Sequence, residues 1–402
     1  MYPFVFRQVT QLILSIMKNF EFFNPVNIVF GQGQIKKLNK LVPSDTKIML
    51  AYGGGSIFQN GVYEQVMAAL KGYDILEFGG IEPNPHYETL MKAAEIVKKE
   101  KIGFILAVGG GSVLDGVKFI AAAALWEEGD PWIFLADRSI TVTKAVPLGS
   151  VLTLPATGSE MNSTSVVTRV STQEKFAFAS YAVMPKFSIL DPTVVFSLPE
   201  KQVANGVVDA FVHVIEQYLT YPVNSPIQDR FAESILVTLV EEGPKVLANR
   251  NDYDAAANFM WAATMALNGL IGVGVPQDWA THQIGHELTA FHNIDHARTL
   301  AIVLPGIMQV KRDSKREKLL QYGERVWDIT AGTDDARIDA TIEKTVAFFE
   351  SFGIPTKLSA YKIGAEFIPV VCKRFADRGI KGIGERGDLT VEQIAEVLKL
   401  QL

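Results

Sequence analysis

Three times in its first 125 residues the chain runs through one succession: a short apolar stretch, a turn rich in glycine or proline, and a segment with helical spacing of its apolar residues. Lys47 to Tyr52 leads into Gly53, Gly54, Gly55 and Ser56, then into Val62 to Leu70. Asp74 to Phe78 leads through the prolines of Glu82-Pro-Asn-Pro85 into Tyr87 to Lys99. Gly103 to Val108 leads into Gly109, Gly110, Gly111 and Ser112, then into Val113 to Leu125. A helix between two strands carries the chain back along the sheet, so successive strands pair in parallel and helices wrap the sheet. The expected fold class is therefore an α/β N-terminal domain. Ligands of such sheets bind beyond the carboxyl ends of the strands, where both triple glycines fall.

The second half drops this succession. Ser197-Leu-Pro-Glu200 has the form of a capping box ahead of an apolar-periodic run from Val203. Long amphipathic patterns follow at Ile227 to Glu242, Ala255 to Leu270, Lys315 to Ile329, Ile338 to Phe352 and Val391 to Leu400. An all-α C-terminal domain is expected. The 402 residues suit two or three domains of about 150 each. The expected division is an N-terminal extension of doubtful status at 1–17, an α/β domain at 18–197 and an all-helical domain at 198–402. Residues 1–17 are set apart because Met17 opens a second, ordinary-looking start and no small-x-small cleavage site precedes it.

Composition excludes several classes of function. Lys and Arg number 38 against 44 Asp and Glu, a formal charge of −6, so no basic excess exists to neutralise a nucleic acid backbone. With 48% hydrophobic and 20% charged residues the chain is not mostly disordered. No run of about eighteen uncharged apolar residues occurs, so neither nucleic acid nor membrane is an expected partner. The single cysteine, Cys372, forms no intrachain disulfide, lies in a stretch that reads as a helix face, and fits a reducing compartment. A cytoplasmic location is expected.

Two constellations carry chemistry. At Gly109 to Ser112, with Asp115 three positions on, backbone N–H groups and a helix N-terminus can approach a pyrophosphate with no Cβ in the way. Neither glycine turn is GxGxxG, so the ordinary Rossmann fingerprint is absent. An acid near the adenosine ribose would repel a 2′-phosphate, and Gly53 to Phe58 contains none, whereas its open amides and the Ser56 hydroxyl suit one. NADP is thus preferred over NAD.

Four of the six histidines fall within fifteen residues, His282, His286, His292 and His296, and a fifth, His213, follows Asp209 by four. That spacing places Asp209 and His213 on one helix face, where both reach a single ion. Spacing alone does not say which histidines complete the set. His286-Glu287 opens an HExxH motif, but position 290 is Ala290 and the nearest later candidate, His292, is displaced around the helix. The inverted motif fails at Gly285, so peptide hydrolysis is set aside. Thr153, Thr157 and Ser159 make a hydroxyl-rich turn, and Lys175 on its own reads as a surface lysine.

Together these segments resemble the metal-dependent, so-called iron-containing, alcohol dehydrogenases of group III, in the branch of bacterial butanol dehydrogenases and NADPH-dependent aldehyde reductases. The resemblance runs from Asn19 to the C-terminus. It rests on Phe30-Gly-Gln-Gly33, Gly79-Gly-Ile-Glu-Pro-Asn-Pro85, Gly109-Gly-Gly-Ser112 with Asp115, Thr153 with Thr157-Gly-Ser-Glu160, Asp191-Pro192, Asn205-Gly-Val-Val-Asp209 with His213, and His282 to His296. It implies a dehydroquinate-synthase-like fold, with an NADP-binding domain, a helical metal-binding domain, and the active site in the cleft between them.

On the same resemblance, Asp209, His213, His282 and His296 match the family's metal ligands, leaving His286 and His292 near the ion. Gly109, Gly110, Ser112 and Asp115 match the pyrophosphate loop. Thr153, Thr157 and Asn162 match cofactor-lining positions, the last commonly a threonine in relatives. Gly53, Gly54, Gly55 and Ser56 match the 2′-phosphate pocket, and Lys175 a lysine close to the cofactor ribose.

The implied activity is reversible hydride transfer between NADP(H) and an aldehyde or primary alcohol, with one divalent ion, Zn²⁺ or Fe²⁺, as Lewis acid. Zinc is preferred for this branch. His286, one turn from His282, is the expected proton relay, and a homodimer is the implied assembly. A cyclising lyase or phosphopolyol dehydrogenase on the same fold would need Lys or Arg beside the metal. The segments Asn205 to Glu216 and Gln277 to Asp295 contain neither, with Arg298 just beyond.

Overall fold

Strands β1 (Asn27–Phe30), β2 (Ile48–Tyr52), β3 (Ile75–Phe78), β4 (Phe104–Gly110) and β5 (Leu148–Leu154) are followed by β6 (Thr164–Arg169), β7 (Glu174–Ala179) and β8 (Phe187–Leu190). These come from a computed structural model that describes residues 16–402; of the expected extension at 1–17, all but Ile16 and Met17 lies outside the described residues. Six strands form one sheet in the order β1-β8-β5-β4-β2-β3, and every pairing in it is parallel. Helices α1 (Val62–Ala69), α2 (Tyr87–Lys99) and α3 (Gly111–Ala123) supply crossovers. Because β3 lies on one side of β2 and β4 on the other, the strand order reverses between β2 and β4. That is the switch point of an open parallel sheet, and a crevice opens at the carboxyl ends there.

Both triple glycines end at this crevice, and packing explains part of their identity. A Cβ on Gly53 would lie 3.2 Å from the Ile81 carbonyl oxygen, and one on Gly109 would meet Val113 at 2.5 Å. Gly55 has φ +96°, a left-handed conformation that glycine adopts without penalty. Gly110 pairs with Leu154 while Gly109 pairs with Leu152, so Thr153 is the extra residue of an irregularity beside the loop.

Thr153, expected in a hydroxyl-rich turn, instead lies on β5, one residue before its end. The antiparallel hairpin β6–β7 was not among the sequence expectations. It leaves the main sheet and docks where the Thr168 amide donates to the Pro85 carbonyl.

The second half contains α4 (Glu200–Tyr218), α5 (Pro226–Ala248), α6 (Tyr253–Ala266), α7 (Ala280–His292), α8 (His296–Val310), α9 (Arg316–Trp327), α10 (Asp334–Ser351) and α11 (Ile368–Asp377). A two-stranded ribbon, β9 (Gly382–Ile383) with β10 (Leu389–Thr390), precedes α12 (Val391–Lys399), a small departure from an all-helical half. The capping box expected at Ser197 does not form. The N-cap of α4 is Pro199, and the Ser197 hydroxyl instead donates to the Val194 carbonyl. Ser197 closes a 3₁₀ segment, Pro192–Ser197, which holds it one turn away from the helix start.

Helix α4 is buried on every face from Val203 to Tyr218. It is the axis of the helical half, and α5, α6 and α8 pack against it. Close approach requires Gly206: a Cβ there would meet the Pro155 carbonyl oxygen at 2.4 Å. This contact presses the turn after β5 onto the helix that carries Asp209 and His213.

Candidate metal centre and cofactor crevice

Polar side chains on a wholly buried helix need partners. Asp209 and His213, one turn apart on α4, face His282 on α7 and His296 at the first position of α8. One ligand atom from each of the four lies within 4.8 Å of the others. The His213 and His282 rings stack with centroids 4.8 Å apart, and His282 and His296 stand 5.1 Å apart at 61°. Asp209 Oδ1, His213 Nδ1, His282 Nε2 and His296 Nδ1 are buried with no hydrogen-bond partner among the described residues. Four ligand-type side chains gathered together, each with a buried nitrogen or oxygen that finds no donor among the described residues, are what a divalent cation fits. An aspartate with three imidazoles suits Zn²⁺ and Fe²⁺ alike.

The electrostatics agree. Burial lowers His213 to about 4 and His282 to about 3, and holds His296 and His286 well below the ordinary imidazole value. The rings are therefore neutral, as ligands must be. Burial pushes Asp209 up, opposed by His213 and Lys175.

His286 lies beside this group, 5.4 Å from the His296 ring and 6.3 Å from the His282 ring, outside the four-atom cluster. The Lys175 backbone acts against burial to raise it, and its Nε2 is buried without a partner among the described residues. His292 packs on Phe367 at 4.3 Å, at the exposed end of α7.

Lys175 reads as a surface lysine from its own neighbourhood and as a lysine near the cofactor ribose by the resemblance; the structure buries it. The hairpin carries it inward to 6% exposure, its Nζ donates to Asn84 Oδ1 at 2.8 Å, and burial lowers it to about 8. Its charge acts on Asp209, His282, His286 and His296. Asn84, held at φ +54°, in turn donates its backbone N–H to Ser112 Oγ. A chain of contacts thus joins the glycine loop to the histidines. Lys175 also supplies the cation that the ligand segments lack, so their own composition is a weaker argument against a charged substrate than the sequence implied. Arg298 is engaged by Asp295 at 3.7 Å.

The expected cofactor residues divide in two. Gly54 and Ser56 are exposed, and Gly110 and Ser112 are half-buried at the crevice. Thr153 lies buried at the end of β5. Asp115, Asn162 and Thr157 are instead engaged by the protein itself. Asp115 accepts from Ser159 Oγ at 2.6 Å and from the Val166 amide at 3.1 Å. Asn162 accepts from the fully buried Lys118 at 2.9 Å and from the Thr164 amide at 3.0 Å. Thr157 accepts from the Ser159 amide and fills the space beside Gly111. These three brace the loop.

Sequence reasoning missed Glu216, Asn84 and Lys118. Glu216 had a signal, since it follows His213 by one turn on the same face of α4. Lys118 had a weak one, a charge in the middle of the apolar α3.

A profile describing the iron-containing alcohol dehydrogenases matches residues 25–192, and one describing the C-terminal part of the Fe-containing alcohol dehydrogenase family matches 203–402. The NADPH-dependent aldehyde reductase YqhD of Escherichia coli K12 is 57% identical over 377 residues, covering 94% of this chain and 97% of that protein. The NADP-dependent alcohol dehydrogenase 3 of Entamoeba histolytica is 42% identical, over 89% of this chain and 93% of its own. A probable NADH-dependent butanol dehydrogenase 1 of Bacillus subtilis is 40% identical, over 96% and 100%. The crystal structure of E. coli K-12 YqhD superimposes with a TM-score of 0.95 at 55% identity, covering 96% of this chain and all of that one.

Proposed function

The chain belongs to the iron-containing alcohol dehydrogenase family, and we propose that it transfers hydride reversibly between NADP(H) and short- to medium-chain aldehydes, giving primary alcohols. The observation that carries this reading is the convergence of Asp209, His213, His282 and His296 with their lone pairs unclaimed. A divalent ion bound there supplies Lewis acidity toward a carbonyl or alcohol oxygen, and NADP(H) supplies or accepts the hydride.

The protein's own groups do the rest. Asp209 and the neutral imidazoles of His213, His282 and His296 would hold the ion. Gly109 and Gly110 present backbone at the start of α3, whose N-terminus favours a pyrophosphate. Gly53 to Ser56 offer open amides and a hydroxyl to a 2′-phosphate. Lys175, lowered toward neutrality by burial, stands between the loop and the histidines as a donor. His286, whose Nε2 is unclaimed among the described residues, serves as the proton relay toward solvent.

We divide the chain into an NADP-binding domain at 18–197 and a metal-binding domain at 198–402. The change in character of the elements at Glu200 supports that division. A cytoplasmic homodimer is our reading of location and assembly; it rests on the single cysteine and on the family, and light scattering tests the dimer.

Steady-state oxidation of NADPH and NADH against a panel of aldehydes tests the function. Activity is expected to disappear on chelation, to return with Zn²⁺ or Fe²⁺, and to show a higher kcat/KM with NADPH. A higher kcat/KM with NADH contradicts the role given to Gly53 to Ser56.

A further inference from the structure

We propose that Glu216 is a positioning carboxylate of the metal centre, holding His282 in the tautomer that presents Nε2 to the ion and fixing the helix turn that carries it. This rests on the metal-centre reading above and adds to it a residue outside the ligand set. Glu216 is 3% exposed, and its carboxylate meets three N–H groups. Oε1 accepts from the Thr281 amide at 2.8 Å, and Oε2 accepts from the His282 amide at 3.1 Å and bonds His282 Nδ1 closely.

The ring bond decides the tautomer. A proton shared with a carboxylate stays on Nδ1, so the lone pair is left on Nε2. Nε2 is the atom of His282 that is buried and unpartnered. An imidazole donating to a carboxylate is also a more basic ligand.

The two backbone bonds decide where the ring stands. A helix begins with four N–H groups that lack partners inside it. In α7 Asp278 Oδ1 accepts from Ala280, Glu216 accepts from Thr281 and His282, and the Trp279 carbonyl accepts from Gln283. The start of α7 is thus pinned by a side chain of α4, the helix carrying Asp209 and His213. Glu216 follows His213 by three positions and Asp209 by seven, so ligands and brace share one face. Of the neighbouring carboxylates, Asp278 and Glu385 are taken by Lys315, at 2.6 Å and 2.8 Å, which leaves Glu216 to His282.

The test is Co²⁺ affinity of the metal-stripped full chain, by chelator competition, together with the visible spectrum of the Co²⁺ form, in wild type and in Glu216→Ala, Glu216→Gln and Gln217→Ala. Gln217 is the neighbouring buried residue on α4 and donates to the His213 and Ala266 carbonyls without touching a ligand ring. Glu216→Ala is expected to weaken binding about 10–100-fold and to alter the Co²⁺ bands. Glu216→Gln, which keeps shape and an acceptor but not charge, should fall between Ala and wild type, and it carries the test if the Ala variant does not fold. Gln217→Ala should bind as wild type does. Wild-type affinity in the folded Glu216 variants, or an equal loss in Gln217→Ala, overturns the role of Glu216 alone. Absence of a stoichiometric Co²⁺ site in the wild type overturns the cage and its brace together.

Discussion

His286 and His282 sit one turn apart on α7, yet their surroundings give them different work. His282 has one nitrogen committed to Glu216 and the other aimed at the cluster, whereas His286 has no carboxylate on its ring among the described residues and lies outside the four-atom set. His286→Ala should therefore slow turnover while metal stays stoichiometric; loss of the ion in that variant, read by elemental analysis, would make His286 a ligand. The buried imidazoles also set a pH dependence. In the metal-free protein His213 and His282 titrate near 4 and 3, below the 6.5 of an exposed ring, so the unfolded chain binds protons that the folded chain refuses. Stability from these groups is complete above pH 6.5 and falls as pH drops, by up to roughly 1.4 kcal/mol per unit for each. Thermal melts of metal-free protein should decline between pH 6.5 and 5, and added Zn²⁺ should move the decline to lower pH; a flat Tm over that interval contradicts the assignment. The Asp209–His213 pair was legible because i, i+4 spacing on a helix is local. Lys175 was not, because nothing in its own neighbourhood shows that a hairpin will turn it toward histidines more than a hundred residues away.

Among the elements, α4 and the turn after β5 set the distance between cofactor crevice and metal centre. Gly206 brings them together, and a methyl group there cannot fit against the Pro155 carbonyl. Gly206→Ala gains about 1 kcal/mol of helix propensity but forces the packed surfaces apart at a cost of roughly 1–3 kcal/mol. The expected outcome is a lower Tm together with a raised KM for NADPH, measured by melting and steady-state kinetics; an unchanged KM would place the crevice independently of this contact. Strands and crossovers were readable because parallel strands buried on both faces are continuous apolar runs, as in Phe104 to Val108. The hairpin was not, since Thr164 to Arg169 mixes hydroxyl and apolar residues and Glu174 to Ala179 opens on two charges. The start of α4 was misread because a capping box is a local pattern, and here the preceding 3₁₀ turn claims Ser197 first.

Across the whole molecule, one piece of the first half is held by the second. Arg374 on α11 donates to the Gln173 carbonyl at the hairpin turn, Arg378 lies 5.0 Å from the Phe176 ring centroid, and Arg374 and Arg378 both pair with Glu287 on α7. This clasp holds the hairpin that presents Lys175, so Arg374→Ala should speed hydrogen exchange in residues 164–179 and lower kcat/KM while leaving bound metal unchanged; unaltered exchange would show that the hairpin stands by its own contacts. Clasp, loop brace and helix contact all bear on one centre. Diffraction from crystals of the metal-loaded protein, collected on both sides of the zinc and iron absorption edges, tests that centre most directly. The account predicts a single anomalous peak within bonding distance of Asp209, His213, His282 and His296; no peak there, with the four side chains turned apart, would contradict it.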